Sequence, residues 1–211
     1  MCRRISLLLV CASLIAIACG SGVTGDRLVS KLPAFIPQPS EVSEQIDSQW
    51  QLVAVSDSTG EWNNQEMADS EGTSVREVED GGRIDGYQVF YQGGPSPSYP
   101  LVSVSASLTV YRDVESAERA LRRGPHWVAG PAVEHPGLVD TAVSWPMTAV
   151  SGEFINQTKP SCPCDMWIRV GRLVGTVEVQ YGGPPRFGDE IDPGALRLAQ
   201  TIAARMADAQ G

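Results

Sequence analysis

Cys162-Pro163-Cys164 is where residue type and spacing most readily allow chemistry. Two thiols with one residue between them can close a disulfide, act as a redox dithiol, supply half of a soft-metal site, or stay free. A bond across one intervening residue closes a tight ring, which makes it strained and easily reduced. Redox centres more often carry Cys-x-x-Cys, and a closed metal site needs more ligands. His126 and His135 could add two ligands, but they lie nine residues apart on a Pro/Gly-rich stretch. An oxidising compartment favours the disulfide reading, so the choice depends on where the chain resides.

No other constellation assembles a reaction. There is no His-Glu-x-x-His, no Gly-x-Ser-x-Gly and no glycine-rich phosphate loop with Lys. No catalytic residue, metal or cofactor is therefore assigned. Asp189, Glu190 and Asp192 precede an apolar-periodic segment and read as cap and dipole complement. Glu77, Glu79 and Asp80 read as a solvated acidic edge. Trp127, Trp145 and Trp167 fall on loop-rich or strand-like sequence and could line a pocket for an apolar, glycan or peptide ligand. The same rings would serve equally as ordinary cover for a sheet.

The compartment is written at the N-terminus. Arg3 and Arg4 precede an apolar run from Ile5 to Ala18. That run is shorter than the about 20 residues of a spanning helix and fits the core of a signal peptide. It ends Ala16-Ile17-Ala18-Cys19-Gly20-Ser21. Small and apolar residues before a cysteine, with Gly and Ser after it, resemble the lipobox of bacterial lipoproteins, although Ala16 stands where that family prefers Leu. The resemblance implies cleavage before Cys19, diacylation of its sulfur and anchoring on the extracytoplasmic face of the membrane. The expected organisation is a lipoprotein signal peptide at 1–18, a flexible tether at 19–31 and a single domain at 32–211.

Cleavage would remove 18 of the 211 residues, leaving 193. Arg3 and Arg4 would go with them, so the net charge of −9 becomes −11. Such a domain is repelled by an anionic bilayer surface and should stand off it. The same acid excess argues against a nucleic-acid partner, which needs cations to displace phosphate counterions.

The elements that must position these residues are mostly strands. Leu52 to Val55 and Tyr87 to Gln92 are strand-like. Leu101 to Tyr111 alternates strictly, Val102, Val104, Ala106, Leu108 and Val110 against Ser103, Ser105, Ser107, Thr109 and Tyr111. Asp113 caps a helix carrying Val114, Ala117 and Leu121. Asp165 to Tyr181 predicts a hairpin turning at Gly171-Arg172. Pro193 opens a last helix with the stripe Ala195, Leu198, Ala199, Ile202 and Met206. The polar stretch 57–83 reads as a loop with one short helix near Asn63 to Asp69. Tyr91-Gln92-Gly93-Gly94-Pro95 and Tyr181-Gly182-Gly183-Pro184 form a weak internal echo, which is either a duplication or shared strand punctuation. The fold class expected is α+β, an antiparallel sheet with two main helices packed on one face.

The order from Gly82-Arg83-Ile84-Asp85-Gly86-Tyr87 through Ser105 to Tyr111, ending in Arg169-Val170-Gly171-Arg172-Leu173 and an Ala-rich helix, resembles a set of uncharacterised bacterial surface lipoproteins. More loosely it is similar to the extracellular sensor domains of actinobacterial Ser/Thr kinases, with Arg172 where that pattern has Asn. Neither resemblance supplies catalytic residues. The expected function is that of a lipid-anchored envelope protein with a non-catalytic ligand-binding or sensor-like domain. The alternatives are an exported thiol-redox enzyme using Cys162 and Cys164, and a structural envelope protein.

Overall fold

A computed structural model describes residues 27–46, 52–55, 58–93, 102–123, 133–134, 141–147, 161–181 and 193–210, with backbone alone at 102, 133–134, 141–147, 161–165 and 181. Its elements run in order as a short 3-10 turn (Val29–Lys31), α1 (Leu32–Phe35), α2 (Pro39–Ile46), β1 (Leu52–Ala54), β2 (Gly60–Glu61), α3 (Asn64–Glu71), α4 (Val75–Asp80), β3 (Arg83–Gly93), β4 (Val102–Tyr111), α5 (Val114–Arg123), β5 (Val133–Glu134), β6 (Thr141–Met147), β7 (Ser161–Val170), β8 (Leu173–Tyr181) and α6 (Pro193–Asp208). Among the described residues no helix is long and apolar enough to cross a membrane.

Among the described residues strand pairing is all antiparallel, in one eight-stranded sheet ordered β1-β3-β4-β8-β7-β6-β5, with β2 added alongside β3. The alternation in β4 decides its faces. Val104, Ala106, Leu108 and Val110 are buried in the main core with Val89, Tyr91, Met166, Ile168, Leu173, Val177 and Val179 from neighbouring strands. The predicted stripe of α6, Ala195, Leu198, Ala199, Ile202 and Met206, closes over this face, and every member is buried. Gly175 makes the closure tight. It sits in register between Leu108 and Ile168, and a Cβ there would lie 3.1 to 3.3 Å from Leu108, Ile168 and Ile202. Leu28 also joins this core, so packing begins before Leu32.

The α+β class and the antiparallel sheet are as expected, but the two main helices do not share a face. Ala117 and Leu121 of α5 pack with Tyr111 and Val174, and half-buried Trp167 lies against them. These strand residues alternate with the α6-facing set, so α5 lies on the opposite side of the sheet. The physical reason is visible in the hairpin. Trp167 and Val174 add apolar surface to the second face, which then needs its own cover. This also argues against a symmetric duplication. A two-fold that superposed β3–β4 on β7–β8 would keep α5 and α6 on one face.

The polar stretch holds two helices where one was expected. Both begin with reciprocal capping boxes, Asn63 with Glu66 and Ser74 with Glu77. At α2, Ser40 is exposed inside the first turn, and Glu41 accepts from the Gln38 backbone N–H at 2.7 Å. The Gly171-Arg172 turn forms as predicted, with Gly171 at φ 55°.

Candidate functional site

The site is built where β3 begins and β4 ends. α4 stops at the Gly81-Gly82 pair, and Gly82 (φ 88°) passes so close to α5 that a Cβ would fall 2.3 Å from Ser116 Oγ. Only glycine allows that approach. It delivers Arg83 directly under α5, in register with Tyr111.

Arg83 is a buried cation, only 4% exposed. Its Nη1 donates to Asn64 Oδ1 at 2.5 Å and its Nη2 to the Trp62 carbonyl. The guanidinium carbon lies 5.3 Å from the Trp62 ring centroid, a cation–π contact. Its Nε is buried and has no acceptor among the described residues. Among the described residues no carboxylate reaches ion-pair distance of Arg83. Burial pulls its pKa down, opposed by the nearby Tyr111, Asp85, Glu71 and Glu66.

Tyr111 is 7% exposed. Burial pushes its phenol up to about 12, against the opposing influence of Arg83 and Arg123. At neutral pH it is therefore a neutral hydroxyl, and among the described residues that hydroxyl makes no hydrogen bond.

Above these two residues lies a cleft of about 230 Å³ between α3, α4 and α5. Met67, Val78 and Ala120 form its apolar walls, and Arg119 and Arg123 stand at its edge on successive turns of α5. Arg123 Nη2 holds both oxygens of Glu71, at 2.9 and 3.1 Å. Arg119 donates to Glu115 at 2.8 Å and to Ser116 Oγ at 3.0 Å. Glu77, also in the lining, accepts from Thr73 Oγ1, Ser74 Oγ and the Ser74 N–H. Those donors hold its carboxyl at about 2.

Of the residues singled out from sequence, Glu77 lines the cleft, and Glu79, Asp80 and Trp167 do not. Cys19, Trp127, His126, His135, Asp189, Glu190 and Asp192 lie outside the described residues. Cys162 and Cys164 occupy β7 on either side of Pro163. The β6–β7 register steps there from Trp145↔Asp165 to Met147↔Ser161, so one residue, Pro146, faces three. Prolines on both strands remove ladder donors, which accounts for the irregularity. The side chains of Cys162, Cys164 and Trp145 lie outside the described residues. Trp167 covers the α5 side of the sheet and does not line the arginine cleft.

Arg83, Tyr111, Arg119 and Arg123 were not expected as site residues. The i, i+4 spacing of Arg119 and Arg123 places them on one helix face and could have flagged them. The meeting of Arg83 with Tyr111 depends on the β3–β4 register and has no local signal.

No protein-family model matches the chain. No curated protein matches it. Among solved structures it is similar to the extracellular domain of PknH from Mycobacterium tuberculosis, at 10% identity and a TM-score of 0.48, over 85% of this chain and 96% of that one.

Proposed function

We propose that the chain is a lipid-anchored extracytoplasmic protein of the bacterial envelope whose domain binds a small ligand without turning it over. The anchor rests on the Cys19 lipobox and the apolar run before it. Each buried acyl methylene contributes about 0.8 kcal/mol, and stable anchoring takes two chains, which a diacylated cysteine provides.

The observation that carries the binding reading is the chemistry of the cleft lining. A proton shuttle needs a group poised near the working pH. Here Glu77 sits at about 2 and Tyr111 at about 12, both far from neutrality. Glu71 is gripped by Arg123 through both oxygens. Guanidiniums, a neutral phenol and apolar walls suit holding a molecule more than transforming it.

Two measurements test this reading. Mass spectrometry of detergent-extracted protein should find a chain beginning at Cys19 with diacylglycerol on its sulfur. An unmodified Cys19, or a chain retaining 1–18, would overturn the anchor. Native mass spectrometry of the same preparation should show a small-molecule adduct that mild collisional heating removes. A bare chain, under conditions that preserve weak complexes, would count against the binding domain.

A further inference from the structure

Resting on the binding reading above, we infer that the cleft between α3, α4 and α5 is a site for a small organic monocarboxylate. Its carboxylate would lie between Arg119 and Arg123 above Arg83, take a hydrogen bond from the Tyr111 hydroxyl, and set its apolar body against Met67, Val78 and Ala120.

Charge selects the class. The lining holds three guanidiniums, Arg83, Arg119 and Arg123, against two carboxylates, Glu71 and Glu77. Glu115 pairs with Arg119 from outside the lining and Glu71 pairs with Arg123, so Arg83 is the guanidinium left without a carboxylate, and one negative charge offsets it. A phosphate dianion would exceed it and meet Glu71 and Glu77 at close quarters. Arg83 supplies the strongest pull toward an anion. It is buried, and among the described residues no carboxylate pairs with it, although the chain carries 25 acidic side chains. Buried cations are normally paired, because an uncompensated charge in a poor dielectric is costly. An anion in the cleft would supply that compensation.

Donors are available to hold it. Arg123 reaches Glu71 through Nη2 alone, so Nε and Nη1 have no partner among the described residues. The Tyr111 hydroxyl also has none there. Charge-assisted bonds from guanidinium to carboxylate are about twice as strong as neutral ones. Size then limits the ligand. About 230 Å³ is below the roughly 300–1,000 Å³ of drug-sized sites. A compact acid with a short or single-ring body fits that space.

The test uses the full lipidated chain in detergent and titrates three probes by calorimetry: benzoate, its uncharged isostere benzamide, and inorganic phosphate. Benzoate should bind saturably and weaken as salt rises, and benzamide should bind at least about tenfold more weakly. Arg119→Gln with Arg123→Gln should lower benzoate affinity by about tenfold or more. Both side chains are exposed on α5, and circular dichroism checks that the helix content is kept. Tyr111→Phe should weaken benzoate several-fold. Equal binding of benzoate and benzamide, an unaffected double variant, or no benzoate binding would each overturn the proposal. Phosphate binding tighter than benzoate would overturn the carboxylate assignment. If the native-mass adduct persists in the double variant and benzoate does not bind the parent protein, the monocarboxylate site is wrong and the binding domain stands. If the adduct is also absent from the parent protein, both readings fail.

Discussion

Glu77 shows how one carboxylate can look like surface and act as structure. It is solvent-exposed, as its place in an acidic run suggests, yet it closes the capping box of α4 with Ser74. Donation from Thr73, the Ser74 backbone and the Ser74 hydroxyl favours its ionised form, so its folded pKa is about 2 against an ordinary 4.5. A pKa lowered by folding stabilises the fold above the unfolded value, and that stabilisation is lost as pH falls through the folded one. Urea denaturation of the protein should therefore show stability declining from about pH 5 toward pH 2. Glu77→Gln should be less stable at pH 7 and should decline less over that window. Parallel pH profiles for the two proteins would refute the assignment. The Ser74-x-x-Glu77 spacing is local and legible in the sequence, whereas the partnership of Arg83 with Trp62 and Asn64 arises only when β2 pairs with β3.

Among the elements, α6 and the central strands were the most legible. The stripe of α6 repeats at helical spacing, and β4 alternates over its whole length, because each has one face committed to the core. α4 was missed because it is short and buries only Val78 among its own residues. The tightest joint between elements is the row Leu108, Gly175 and Ile168 beneath Ile202. A branched side chain at Gly175 must displace α6 or force its neighbours off their rotamers. Gly175→Val should cost about 1–3 kcal/mol, read as a lowered urea midpoint with an unchanged slope. A midpoint matching the parent protein would mean that α6 does not seat as closely as described.

At the scale of the whole molecule, one sheet divides two sets of helices. α6, with the N-terminal helical segments, covers the more apolar face, and α5 covers part of the other beside the arginine cleft. The net charge is acidic, yet the described cleft gathers three of the 16 basic side chains. If Cys19 carries the anchor, Cys19→Ala should move the protein from the membrane pellet to the soluble fraction, because a single short apolar run holds it poorly without acyl chains. A variant that stays in the pellet through high-salt and carbonate washes would point to another mode of attachment.

The sequence alone determined what is local: the strand alternation of β4, the turn at Gly171, the cap at Asp113 and the buried stripe of α6. These depend on backbone preferences and on spacing within one element. Tertiary structure decided which element covers which face, and therefore where the cleft lies. Alternation shows which residues share a face but not what packs on it. Val174 and Trp167 on the second face hinted at a second cover without naming α5. Arg83 reaches Tyr111 only because β3 and β4 pair in one register, and that long-range choice is made by the packing of the whole sheet.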